Sequence, residues 1–150
     1  MSSLVLQILL VEDDAAQAYV VRLVLERWKT PYQLHVVSSA EEALDYVNHR
    51  NGHDDAPQPH LTLLDLNLPR QPGFVVLEAI KNDPALRSIA VIILSTSASQ
   101  SDVQRAVASH ANAYIQKPSD LAGIERLFDT LEVFWRSDAR FSMKNGSSLR

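Results

Sequence analysis

Cysteine is missing from this chain of 150 residues. Its absence excludes a disulfide framework, a thiolate zinc site and a cysteine nucleophile. Basic runs are missing as well. Lys and Arg number 14 against 18 Asp and Glu, for a net charge of −4. Binding of nucleic acid through a basic face is therefore not expected. No apolar run approaches membrane-spanning length, and Met1-Ser2-Ser3 does not lead from a basic segment into an apolar one. The expectation is a soluble cytoplasmic protein with no membrane partner. Glycine occurs only 4 times, with no Gly-rich Walker-type loop and no dinucleotide fingerprint. What remains is an ordinary soluble composition, 46% apolar and 21% charged. The length suits one domain with a proper core and is too short for two.

Apolar runs and helical patterns alternate along the chain. Leu4 to Val11 is apolar and β-branched, broken only by Gln7, and reads as a buried strand. Ala15 to Lys29 places Ala18, Val21, Val24, Leu25 and Trp28 on one helical face, with Pro31 beyond as a stop. Leu34 to Val37 is a second strand. Ser39 with Glu42 three residues on makes a capping box for a second helix. Arg50 to Pro59 is a polar loop; the acids and histidines in and beside it (His49, His53, Asp54, Asp55) lack a metal-ligand spacing and read as solvated. Leu61 to Leu64, Ile89 to Leu94 and Ala113 to Gln116 are three further strands. The helices between them start near Phe74 and Asp102. A last helix from about Leu121 to Trp135 carries Ile124, Phe128, Leu131 and Trp135 on one stripe. Residues 1–136 form the expected domain, and 137–150 an expected loose polar tail with no output domain.

Strict alternation predicts a parallel sheet covered by helices on both faces, joined by right-handed crossovers. Such a doubly wound sheet binds its ligand outside the carboxyl ends of the strands. The unusual polar residues all fall at those ends: Glu12-Asp13-Asp14, then Asp65, then Ser95-Thr96-Ser97, then Lys117. Asp14 reads as a helix N-cap. Glu12, Asp13 and Asp65 suit magnesium, a hard cation taking one or two carboxylates plus waters and phosphate oxygens; manganese or calcium could substitute. Without a cation the three acids repel one another. Asp65 would then be a carboxylate nucleophile forming an acyl phosphate, with Lys117 as a point charge on the phosphate. A hydroxyl would donate to a phosphate oxygen. Spacing to the following helix favours Ser95, with Thr96 as the other candidate.

The segments Ile8-Leu9-Leu10-Val11-Glu12-Asp13-Asp14, Leu64-Asp65-Leu66-Asn67-Leu68-Pro69 with Gly73, Leu94-Ser95-Thr96-Ser97 and Tyr114-Ile115-Gln116-Lys117-Pro118 resemble the receiver domains of bacterial two-component response regulators. The likeness runs from about Gln7 to Trp135, with four motifs in the family's order and spacing. It implies a flavodoxin-like α/β fold, five parallel strands in order 2-1-3-4-5 with five helices. It implies Asp65 as phosphoacceptor for a partner histidine kinase. Asp13 would be a direct metal ligand, Glu12 would act largely through water, and Asn67 would offer its backbone carbonyl. Ser95 and Tyr114 would be the switch pair, Lys117 the phosphate contact, and Pro118 the partner of an often cis Lys-Pro bond. Pro72 departs from the family, which more often has Asp, Asn or Ser there.

The long second-helix loop, the Leu-Ser-Thr-Ser segment and the Phe134-Trp135 end are similar to small single-domain regulators paired with phytochrome-type sensor kinases. In that group a homodimer often forms through the fourth and fifth helices and fifth strand, and Phe128, Phe134 and Trp135 are the aromatic candidates for such a face. Two alternatives stand beside this reading. A haloacid-dehalogenase-type phosphatase would carry an aspartate two residues after its nucleophile, where this chain has Asn67, and would need room for a cap domain. A phosphorylation-independent interaction module would not need Asp13, Asp65, Ser95 and Lys117 together.

Overall fold

The computed structural model describes residues 5–97 and 99–145, with side chains to Arg136. Five strands and five helices alternate: β1 (Leu6–Val11), α1 (Ala15–Leu25), β2 (Tyr32–Val37), α2 (Ala40–Val47), β3 (Leu61–Leu64), α3 (Phe74–Asn82), β4 (Ala90–Ser95), α4 (Gln100–Ala108), β5 (Ala113–Gln116) and α5 (Leu121–Asn145). All strand pairs are parallel, in the order β2-β1-β3-β4-β5. Strand order reverses at β1, and its two neighbours diverge there. The β1/β3 junction is thus the place where such sheets hold ligands. Leu4, where the sequence starts the first strand, lies outside the described residues.

The sheet separates two apolar layers. On one face Leu9, Val11, Leu64, Val91 and Ile93 pack against α2, α3 and Ala106 of α4. On the other, Leu6, Ile8, Leu10, Leu61, Leu63 and Leu94 pack against α1 and α5. The period-2 alternation of β1 feeds both layers, which is why the strand is apolar throughout.

Helix starts follow local chemistry. Asp14 caps α1, its Oδ1 accepting from the N–H groups of Ala16 at 2.8 Å and Gln17 at 3.2 Å. Ser39 Oγ accepts from Glu42 N–H at 3.0 Å, as the capping box requires, and Glu42 reaches back to Ser38 N–H at 3.1 Å, one residue further than the motif specifies. The clip between β3 and α3 is tight: Gly73 N–H donates to the Leu66 carbonyl at 2.9 Å.

The segment that follows α1 is tied to α5. Trp28 Nε1 donates to the Phe128 carbonyl at 2.9 Å. The buried Glu132 accepts from the N–H groups of Lys29 and Thr30, both at 2.8 Å. Arg27 pairs with Asp129 at 2.8 Å. α4 is held far more thinly. Ala106 is its one buried residue, and Arg105 links it to α3 by stacking 4.3 Å from the Phe74 ring centroid and pairing with Glu78 at 3.1 Å.

Two expectations need correction. α5 does not end near Trp135 and give way to a loose tail at residue 137; its backbone stays helical to Asn145. Residues 136–145 hold no proline or glycine and include good helix formers, and the first breaker is Gly146. The tail residues 146–150 lie outside the described residues. The second concerns Phe128, named for a dimer face. It is 1% exposed and packs inside this chain against the sheet. The stripe with Ile124 and Leu131 is the inward one, so of the three named aromatics Phe134, 66% exposed, and part of Trp135 face outward.

Candidate functional site

The parallel ladders continue one residue past the strand ends and fix the backbone of the polar residues there. Glu12 N–H donates to the Val37 carbonyl at 3.0 Å, Asp65 N–H to Val11 at 3.2 Å, and Lys117 N–H to Ser95 at 2.8 Å. Three residues far apart in sequence are thereby set on one rim of the sheet.

Their side chains converge. Glu12, Asp13 and Asp65 each offer a carboxylate oxygen within 4.8 Å of the others. Glu12 and Asp65 are buried and Asp13 is exposed. The Lys117 ammonium donates to Glu12 Oε1 at 2.9 Å and stands 3.6 Å from Asp65 Oδ2. It also donates to the Gln17 side chain on the first turn of α1. The second Glu12 oxygen accepts from Asp14 N–H at 3.2 Å, and Asp65 Oδ1 accepts from Asn67 N–H at 3.0 Å.

Three carboxylates thus face one ammonium. Burial pushes the Glu12 carboxyl above its ordinary value; the Lys117 bond and charge and the Asp14 N–H pull the other way, and the Asp65 charge adds to the rise. The donor chemistry fits a divalent cation. All three side chains supply hard oxygen, and the exposure of Asp13 leaves room for the waters that magnesium retains. His53, by contrast, stands 3.6 Å from Glu42 in the loop region. Among the described residues, only Glu12, Asp13 and Asp65 form a cluster able to hold a metal.

The two candidate hydroxyls differ sharply. Ser95 ends β4 at 0% exposure, whereas Thr96 is exposed. Ser95 Oγ accepts from Ser97 N–H at 3.1 Å. Tyr114, half-buried against the α2–α4 layer, donates its hydroxyl to the Ser97 carbonyl at 2.9 Å. Ser97 Oγ in turn donates to Asp102 Oδ2 at 3.0 Å. One residue therefore joins the end of β4, the β5 aromatic and the start of α4. Pro118 follows Lys117 through a trans peptide bond, as at every described position.

Sequence reading missed Gln17, and it placed Ser97 in the Ser95-Thr96-Ser97 run without giving it a role. Gln17 lies three residues after the Asp14 cap, which aims the first turn of α1 at the acids; that cap is its only signal. Ser97 meets Ser95 and Tyr114 through its backbone N–H and carbonyl, which leave no mark in a sequence, and Asp102 through its side chain. No helix among the described residues is long and apolar enough to cross a membrane.

Comparison with known proteins bears on this arrangement. The family model for the response regulator receiver domain matches residues 8–129. Response regulator Rcp1 of Synechocystis sp. is 34% identical over 128 residues, covering 85% of this chain and 87% of that protein. Its Mn2+-bound crystal structure superimposes with a TM-score of 0.82 over 86% of this chain and 93% of that one. The phosphorylated cyanobacterial phytochrome response regulator RcpA gives a TM-score of 0.86 at 35% identity, covering 90% and 96%. The probable methanogenesis regulatory protein FilR2 of Methanothrix harundinacea is 36% identical over 128 residues, covering 85% and 82%. The matched span, the strand order and the acids gathered at the β1/β3 junction agree: this chain belongs to the response regulator receiver domain family.

Proposed function

We propose that Asp65 is the phosphoryl acceptor of this receiver, loaded by a partner histidine kinase with Mg2+ held at Asp13 and Asp65. The observation that carries the reading is the approach of the Lys117 ammonium to within 3.6 Å of Asp65, beside the three-carboxylate cluster. Asp65 attacks the phosphorus of the phosphohistidine, the P–N bond breaks, and the imidazole leaves. Lys117 neutralises charge on the transferred group. Both Glu12 oxygens are already engaged by Lys117 and Asp14 N–H, so Glu12 serves the cation through water. When bound, the divalent ion supplies charge neutralisation at the acceptor carboxylate and the phosphoryl oxygens. Membership of a receiver family favours this acceptor role over turnover of small phosphomonoesters.

The Ser97 bridge supports Ser95 and Tyr114 as the switch. Drawing the Ser95 hydroxyl toward a phosphoryl oxygen releases Ser97 N–H, and the Ser97 carbonyl carries Tyr114 with it. α4, anchored through Asp102, moves in response. Phosphorylation then biases a two-state face built from α4, β5 and α5. The adjoining exposed side chains Val133 and Phe134 on α5 suit a homodimer contact there.

A phytochrome-type kinase is the proposed donor, from the likeness to RcpA. The equally similar FilR2 makes phosphotransfer the deciding measurement. Transfer from a phytochrome-type kinase should outpace transfer from unrelated kinases, and equal rates would remove the light-signalling assignment. The acceptor itself is tested by incubation with acetyl phosphate and Mg2+ followed by intact mass. One added phosphoryl group is expected. No addition, or an addition that survives Asp65→Asn, overturns the reading.

A further inference from the structure

A cavity of about 280 Å³ lies between α1 and α5, directly beneath the acid cluster. Its floor is Leu10, Leu63 and Leu94 at the ends of β1, β3 and β4. Val20 and Val21 of α1 form one wall, and Ile124 and Phe128 of α5 the other. The exposed residues Gln17, Thr96 and Ser119 mark its rim. Among the described residues, charge enters the lining only through Glu12, Asp65 and Lys117. The Lys117 ammonium spans this end, bonded to Gln17 on α1 and to Glu12. Apolar walls with a few convergent polar groups are the usual build of a small-molecule site.

The shape and charge of this cavity select a ligand class. An apolar protein cavity of ~150 Å³ holds one benzene. A space of about 280 Å³ therefore has room for a fused bicyclic ring. The charged end carries two carboxylates against one ammonium within the lining, and Asp13 adds a third carboxylate beside them. An ammonium on the ligand is favoured there and an anionic head is opposed.

We propose that this cavity is a binding site for a bicyclic aromatic amine, ring between α1 and α5, ammonium against Asp65 and Glu12. Because the head group uses carboxylates of the metal cluster, the ligand competes with the divalent cation and restrains phosphorylation. That regulatory arm rests on the acceptor reading above; the binding arm does not.

The test uses tryptamine as probe, with the full chain stripped of metal by a chelator. Methyl NMR shifts of the wall residues report binding. Saturable shifts are expected with a Kd on the order of 1 mM, as suits a ligand of this size. Indole should bind more weakly, and indole-3-acetate at least about tenfold more weakly, as a charge at a carboxylate-rich end requires. Saturating Mg2+ should raise the tryptamine Kd at least about fivefold by mass action on shared ligands. Val20→Phe and, independently, Ile124→Phe should fill the cavity and weaken tryptamine at least about tenfold. Absence of saturation, equal affinity for indole-3-acetate, or indifference to Mg2+ overturns the proposal. The comparison among the three ligands needs no variant, so it decides the matter even where a filling variant fails to fold. A chain that takes phosphoryl from acetyl phosphate yet ignores tryptamine refutes this site alone. One that binds tryptamine yet takes no phosphoryl refutes the acceptor reading alone.

Discussion

Gly73→Ala is expected to damage the acceptor site through the backbone. A Cβ at Gly73 would lie 2.3 Å from the Asp65 carbonyl oxygen and 2.9 Å from Leu66 Cα. Ordinary contact needs roughly 3.5 Å, so the β3–α3 clip must open by about 1 Å. Backbone strain does not enter, because Gly73 has φ −61° and ψ −23°, values open to any residue. Neither neighbour can yield by rotating a side chain, since both are main-chain atoms. Overpacking of this kind costs about 1–3 kcal/mol. Thermal unfolding should fall by about 2–4 °C for each kcal/mol in a chain of this size. The functional loss should be larger, because an error of about 1 Å in a reacting group costs on the order of 100-fold in rate. The assay is phosphorylation by acetyl phosphate with Mg2+, followed by intact mass, beside thermal melts. Gly52→Ala is the control. Gly52 sits at φ +95° with nothing within 4 Å of an added Cβ. That variant should lose about 1–2 kcal/mol through conformation alone and keep the wild-type phosphorylation rate. If Gly73→Ala is as stable and as quickly phosphorylated as the wild type, the reasoning from this contact is wrong.

Thr62→Val should stabilise the fold by about 1 kcal/mol in urea unfolding, because the Thr62 hydroxyl is fully buried on β3 without a partner among the described residues; a loss would mean that the hydroxyl is satisfied. Glu132→Ala should cost about 2–4 kcal/mol, since two backbone N–H groups lose one charged acceptor, and Glu132→Gln should cost less by keeping an oxygen there. Equal losses for the two variants would exclude the charge as the source. Glu12 sets a pH dependence in chelated protein. Its folded-state pKa is raised by burial, so the folded protein binds that proton more tightly than the unfolded chain. The resulting stability is fully present below the unfolded value near 4.5 and is lost as pH rises through the folded value. Glu12→Gln should therefore be the more stable protein at neutral pH, its advantage shrinking as pH falls toward 4.5. Denaturant midpoints across that range check the sign; an advantage that grows on acidification would contradict it.

The strands and the acid cluster were legible because both leave side-chain signals. The apolar runs before Glu12, Asp65 and Lys117 give strands, alternation with helices makes them parallel, and parallel strands point their carboxyl ends one way. The aromatic stripe of α5 was legible as a pattern but ambiguous in purpose: spacing groups Phe128 with Ile124 and Leu131 without saying whether sheet or partner covers them. Helix length failed where polarity was taken for looseness. A polar segment free of Pro and Gly can remain helical without an apolar stripe, as residues 136–145 do. The bridging role of Ser97 was invisible because its bonds to Ser95 and Tyr114 belong to the main chain.

The unequal fastening of the helices divides the molecule mechanically. Residues 27–30, just past α1, are fastened to α5 by an indole bond, a twice-bonded carboxylate and an ion pair, and α1 itself buries Ala18, Val21, Val24 and Leu25 in the layer shared with α5. α4 contributes only Ala106 to the core. In native-state amide exchange, α4 should trade its protons through a local opening of low free energy, while the α1 and α5 amides wait for global unfolding. The chain thus holds one flank as a fixed frame and leaves the other to be repositioned at little cost to its stability.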